Sequence, residues 1–264
     1  MSTIDKTAPG SFCWMELAAS DLKAAKNFYT SLFGWQFVDN DMGPGGVYTI
    51  FQVKGSECAA SYQIGPDQKG CQPHWMVYIA TNDVDASAAK VKELGGSVEM
   101  GPFDVGPHGR MAVVKDPAGV YFSLWKGAGT GGIRIANEDN TFCWADLNTP
   151  DRDSARKFYG TLFGWQFLPG EGKDESGYLH IQNGDQMIGG MPPREQTNPN
   201  APPHWMLYFL VADVDASTKK ASDMGAKVLM PPMTLPGTGE FSILADPQGA
   251  VFSLFKAEAK ASAA

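Results

Sequence analysis

The stretch FYTSLFGWQF at residues 28–37 returns as FYGTLFGWQF at 158–167, 130 positions later. The same offset links FCWMEL at 12–17 to FCWADL at 142–147, and PHWMVY at 73–78 to PHWMLY at 203–208. It also links DVDAS at 83–87 to 213–217, Asp116-Pro117 to Asp246-Pro247, and FSLW at 122–125 to FSLF at 252–255. A constant shift over so many blocks is a duplication with few net insertions. It divides the 264 residues into an arm (1–9), a first domain (10–126), a linker (127–139) containing GAGTGG, a second domain (140–257) and a tail (258–264). Two domains is also what this length predicts.

Each repeat is itself bipartite. In the first, a strand leads to Asp21 and a helix that stops at Gly34; a second strand leads to Asp83 and a helix that stops at Gly95-Gly96. Ala25, Phe28, Tyr29 and Leu32 form an i, i+3, i+4, i+7 stripe, and Asp21 is placed to cap the first-turn amides. Three short apolar stretches follow each helix, near 35–38, 47–53 and 57–64 in one half and 97–100, 110–115 and 120–125 in the other. The expectation is an α+β protein of four βαβββ modules, with each helix covering one face of its sheet and the opposite faces forming cupped clefts.

Strand alternation assigns residues to those clefts. Phe12, Trp14 and Glu16 share one face of the first strand, and Cys13, Met15 and Leu17 share the helix-facing one. His74, Met76 and Tyr78 share a face, as do Tyr121, Ser123 and Trp125. The cleft is thus read as aromatic with a few polar groups.

The pattern of strand, Asp, helix ending in FYTSLFGW, then a half ending in DPAGVYFSLW, resembles the vicinal oxygen chelate superfamily. That is the glyoxalase, bleomycin resistance and dihydroxybiphenyl dioxygenase-like group, in its duplicated four-module form with two tandem pseudo-symmetric domains. The resemblance implies metal ligands on the first strand of each module and a Glu on the last strand. Carried over, the first-strand positions hold Trp14, Met76, Trp144 and Met206, and the last-strand positions hold Ser123 and Ser253. Hard cations need oxygen donors; zinc and iron need imidazole, carboxylate or thiolate. The expectation is therefore no metal and no other cofactor. A divalent metal held by displaced ligands such as Glu16, His74 and Glu240 is the alternative.

Glu16 and Asp146 are matched carboxylates among aromatics, and His74 and His204 share a PHWM context. These four are the candidate acid–base residues. Trp14, Tyr48, Tyr78, Tyr121, Ser123, Trp144, Tyr178, His180, Tyr208 and Ser253 are candidate ligand contacts, the aromatic ones as a stacking wall. His180 has no repeat partner, since Ile50 stands there. Arg110, opposite Glu240 in the repeat, could meet a carboxylate or phosphate at a cleft mouth. Cys13 and Cys143 read as core thiols.

Lys and Arg number 21 against 29 Asp and Glu, a net charge of -8. That balance argues against nucleic acid and anionic membranes. No apolar run approaches a membrane span and no secretory signal is evident, so a cytoplasmic monomer or homodimer is expected. Three functions fit: a metal-independent binder of a small aromatic or apolar molecule, a metal-dependent lyase or dioxygenase, and a non-catalytic protein with clefts plugged by Trp14 and Trp144. Whether the protein is an enzyme stays open.

Overall fold

A computed structural model of the chain describes residues 4, 7–129, 132–170 and 176–258. Most of the arm, Thr130 and Gly131 of the linker and all but Glu258 of the tail lie outside the described residues. The first domain runs β1 (Phe12–Ala19), α1 (Leu22–Phe33), β2 (Gln36–Asp41), β3 (Val47–Val53), β4 (Ser56–Gln63), β5 (His74–Ala80), α2 (Val84–Glu93), β6 (Ser97–Val105), β7 (Gly109–Lys115) and β8 (Tyr121–Gly127). The second repeats it: β9 (Phe142–Asn148), α3 (Arg152–Phe163), β10 (Gln166–Pro169), β11 (Leu179–Asn183), β12 (Gln186–Met191), β13 (His204–Leu210), α4 (Val214–Asp223), β14 (Lys227–Leu235), β15 (Gly239–Ala245) and β16 (Val251–Ala257).

The helices start and stop where local chemistry dictates. Asp21, Asp83, Asp151 and Asp213 each accept a first-turn amide, and Gly34 and Gly164 end α1 and α3 in the left-handed region. Among the described residues no helix is long and apolar enough to cross a membrane.

Each domain is one eight-stranded sheet, in the order β2-β3-β4-β1-β5-β8-β7-β6 and β10-β11-β12-β9-β13-β16-β15-β14. Consecutive modules therefore pair, module one with two and three with four, joined by the antiparallel β1–β5 and β9–β13 ladders. The fold is the duplicated α+β arrangement read from the repeat.

The coverage of the helix-facing sides is less local than the sequence suggests. The second helix of each domain lies on its own sheet, as expected. The first one reaches across. Phe28 and Tyr29 of α1 pack edge-on against Phe252, and Phe33 packs on Phe209, all in the second domain. Phe158, Tyr159 and Phe163 of α3 meet Phe122 of the first domain. One apolar core thus runs through both domains. Tyr29 donates from its hydroxyl to Asp246 (3.0 Å), and Tyr159 donates to Asp116 (3.2 Å). Each helix so reads the Asp-Pro turn of the opposite repeat. The indoles of Trp35 and Trp165 donate to Asn140 and Gly10 carbonyls, again as a reciprocal pair. The motif that opens the sequence reading is therefore an inter-domain joint. The linker shares in it: Ile133 and Ile135 are buried, and Ile133 donates its amide to Cys13.

A bulge corrects the face assigned to one residue. The β1–β5 register shifts between Phe12 and Trp14, so Phe12 lies opposite Ile79 and packs on Phe142, Trp165 and Trp205 rather than lining the cleft. An extra residue in a strand resets its alternation. Beyond the bulge the expectation holds: Met15 and Leu17 are fully buried on the helix side.

Candidate functional site

The open face of the first sheet carries Trp14 and Glu16 from β1, Tyr48 from β3, Met76 and Tyr78 from β5, and Ser123 and Trp125 from β8. The ladders bring them side by side: Glu16 lies opposite Met76, Trp14 opposite Tyr78, and Tyr78 opposite Ser123. At the floor of this cup the Tyr48 and Tyr78 hydroxyls each donate to the Glu16 carboxylate at 2.7 Å. The Trp14 indole donates to the Tyr48 hydroxyl at 2.9 Å.

The second cup repeats the arrangement 130 residues on. Tyr178 and Tyr208 donate to Asp146 at 2.5 and 2.8 Å, and Trp144 donates to Tyr178 at 2.9 Å. The shorter Asp side chain also brings Trp144 Nε1 within 3.1 Å of Asp146. A carboxylate, two phenols and an indole are thus joined in the same order in both cups.

The electrostatics follow from depth. Burial pushes the carboxyls of Glu16 and Asp146 above the usual carboxylate range, while the phenol and indole donors pull the other way. Burial and the nearby carboxylate hold Tyr48, Tyr78, Tyr178 and Tyr208 firmly protonated. The phenols are therefore donors throughout the physiological range. An ionised carboxylate has about four acceptor positions, so Glu16 keeps room for a further donor.

The two cups differ in detail. His180 takes the place of Ile50; its ring stands edge-on to Tyr178 and Trp144, with centroids 5.2 and 6.2 Å away, and its charge favours ionised Asp146. Ser253 donates to the Ser242 carbonyl at 2.7 Å, whereas the buried Ser123 hydroxyl has no partner among the described residues. Gly190 is also distinctive, for a Cβ there would coincide with the Tyr178 hydroxyl. Nothing in a single glycine codon announces that role; the signal would have been its placement one ladder step from both Asp146 and His180.

Other candidates stand apart from these quartets. His74 and His204 share the cup face, but their rings turn to the backbone, each Nδ1 lying 2.8 Å from the carbonyl of Gln72 or Pro202. Neither bonds to a carboxylate among the described residues. Burial lowers the affinity of His204 for a proton. Tyr121 sits at the exposed end of β8 with the Lys115 ammonium 4.3 Å from its ring centre. Arg110 is engaged by Asp85 (2.6 and 2.8 Å) and Asp104 (3.0 Å), so it is not offered to a cleft. Glu240 alternates with the cup-facing Phe241 and Ile243 and belongs to the second domain. It cannot join Glu16 and His74. Burial pushes the Cys143 thiol up to about 12 and the Cys13 thiol higher still, as inert thiols require.

The positions where the resemblance implies metal ligands lie in the cups but offer an indole, a thioether and a hydroxyl beside a single carboxylate. Among the described residues no three His, Cys, Asp or Glu side chains gather as a metal-binding group. This donor set does not fit a chelated divalent ion.

Comparison with known proteins agrees with the architecture. The sequence profile of the Glyoxalase/Bleomycin resistance protein/Dioxygenase superfamily matches residues 11–124 and again 141–254. The chain is 40% identical over 245 residues to "Putative glyoxylase CFP32" of Mycobacterium tuberculosis, covering 92% of this chain and 93% of that protein. It is 36% identical over 264 residues to "Anthracycline biosynthesis protein DauV" of Streptomyces sp. strain C5, covering 94% and 93%. The Mn(II)-bound glyoxalase of Novosphingobium aromaticivorans superposes with a TM-score of 0.65 at 16% identity, over 94% of this chain and 82% of that one. The chain belongs to the Glyoxalase/Bleomycin resistance protein/Dioxygenase superfamily.

Proposed function

We propose that each cup binds a small, partly aromatic molecule without a metal, and that a hydrogen-bond donor of the ligand meets Glu16 or Asp146. The observation that carries this reading is the quartet itself. Two cups that differ in several residues each hold a carboxylate, two phenols and an indole bonded in the same order. Aromatic walls with a few convergent polar groups suit a small ligand. The Streptomyces relatives are named for the biosynthesis of anthracyclines, which are flat aromatic molecules, and this supports the same class. The four free cysteines fit a reducing, cytoplasmic setting.

The test is calorimetric titration of the metal-free protein with a panel of phenols and quinones, repeated with Trp14→Phe and Trp144→Phe. Binding that survives chelators and weakens in these variants is expected. Binding that appears only with an added divalent metal would overturn the reading, and an inert panel would favour plugged cups.

A further inference from the structure

The two cups share a floor but not a charge balance. The His180 ring stands edge-on to Tyr178 and Trp144, both of which donate to Asp146, whereas the corresponding residue in the first cup is Ile50. Glu16 accepts two neutral phenol donors, and among the described residues no Lys, Arg or His forms an ion pair with it. His74, two positions along β5 from the Met76 that lies opposite Glu16, is turned to the Gln72 carbonyl. A half-buried carboxylate without a counter-ion is an unfinished pairing, because a charge removed from water is stabilised chiefly by an opposite one.

The walls differ in the same direction. Tyr62 stands across from Tyr48 in the β3–β4 ladder, and its repeat counterpart is Pro192. Trp125 packs edge-on to Tyr78 with centroids 6.3 Å apart, and its counterpart is Phe255. The first cup thus sets Trp14, Tyr48, Tyr62, Tyr78 and Trp125 around one carboxylate. Indole and phenol faces attract cations more strongly than the phenyl and pyrrolidine rings found in the second cup.

From these differences we infer that the first cup selects an aromatic ligand carrying an ammonium group, seated on Glu16 and caged by the surrounding rings, and that the second cup has no such preference. The inference rests on reading the cups as ligand sites and adds the charge of the ligand.

Two probes of similar size, 2-phenylethylammonium chloride and 2-phenylethanol, separate the two ideas. Their affinities are measured by calorimetry on the full chain and on Glu16→Gln, Ile50→His and Asp146→Asn, with thermal unfolding as the check on folding. The ammonium is expected to bind roughly tenfold more tightly than the alcohol. That advantage should vanish in Glu16→Gln, shrink in Ile50→His and persist in Asp146→Asn. Ile50→His places in the first cup the residue that the second already accommodates, so it keeps the test open if Glu16→Gln fails to fold. Equal affinity for both probes, or an ammonium advantage indifferent to Glu16→Gln and Ile50→His, would overturn the inference while leaving the cups as ligand sites. If neither probe binds, the inference falls, and the phenol and quinone panel decides separately whether the cups are ligand sites.

Discussion

Replacing Tyr78 by Phe isolates the energetic core of the first cup. The ring is buried on a central strand, so Phe keeps its packing and removes one oxygen. What is lost is one of two 2.7 Å donors to Glu16. A hydrogen bond to an ionised group contributes about 1.5–3 kcal/mol and one between neutral groups about 0.5–1.5. The expected cost is therefore about 2 kcal/mol when the carboxyl is ionised and about 1 when it is protonated. The direction with pH follows. Burial already raises the Glu16 carboxyl, and losing a donor raises it further. The full cost is present above the raised value and fades as the pH falls towards the ordinary carboxylate range. Urea unfolding at about pH 8 and about pH 4, in the native and Glu16→Gln backgrounds, measures both effects. A cost that is the same at both pH values, or undiminished in Glu16→Gln, would refute the charged bond as its source.

Three further outcomes are expected. Gly190→Ala should push the Tyr178 hydroxyl off Asp146, lowering ligand affinity in the second cup and leaving the first unchanged in titrations of the two cups. Tyr29→Phe and Tyr159→Phe should each cost about 1–3 kcal/mol in denaturant unfolding, because a buried Asp on the opposite domain loses its phenol donor. Glu16→Gln with Asp146→Asn should gain stability relative to the native protein as pH rises. A carboxyl whose folded value is raised stabilises the fold below the unfolded value and loses that contribution as pH climbs through the folded one, so unfolding curves across that window should diverge.

The sequence by itself determined the plan. The 130-residue repeat, the Asp caps and the Gly34 stop mark out four modules, since capping and periodicity are short-range chemistry written in neighbouring residues. Alternation likewise brought Trp14, Glu16, Tyr78 and Ser123 to one face and named Tyr48 among the contacts. The pairing of modules was not legible, because module one could in principle pair with module two or, by swapping, with module four; the sheet order puts β1 beside β5. Nor was the destination of FYTSLFGW, whose apolar stripe says only that one face is buried; packing against Phe252 and Phe209 depends on how the domains meet. The bulge at Phe12 broke the alternation rule and turned that ring to Phe142, Trp165 and Trp205 of the second domain. Tertiary structure also decided which polar groups bond. Glu16 could have met His74, two residues further on the same face, but side-chain reach across the sheet brought it to two phenols and left the imidazole with its own backbone. Hydrogen bonds between distant strands depend on register and rotamer together, and those are fixed only when the sheet closes its ladders.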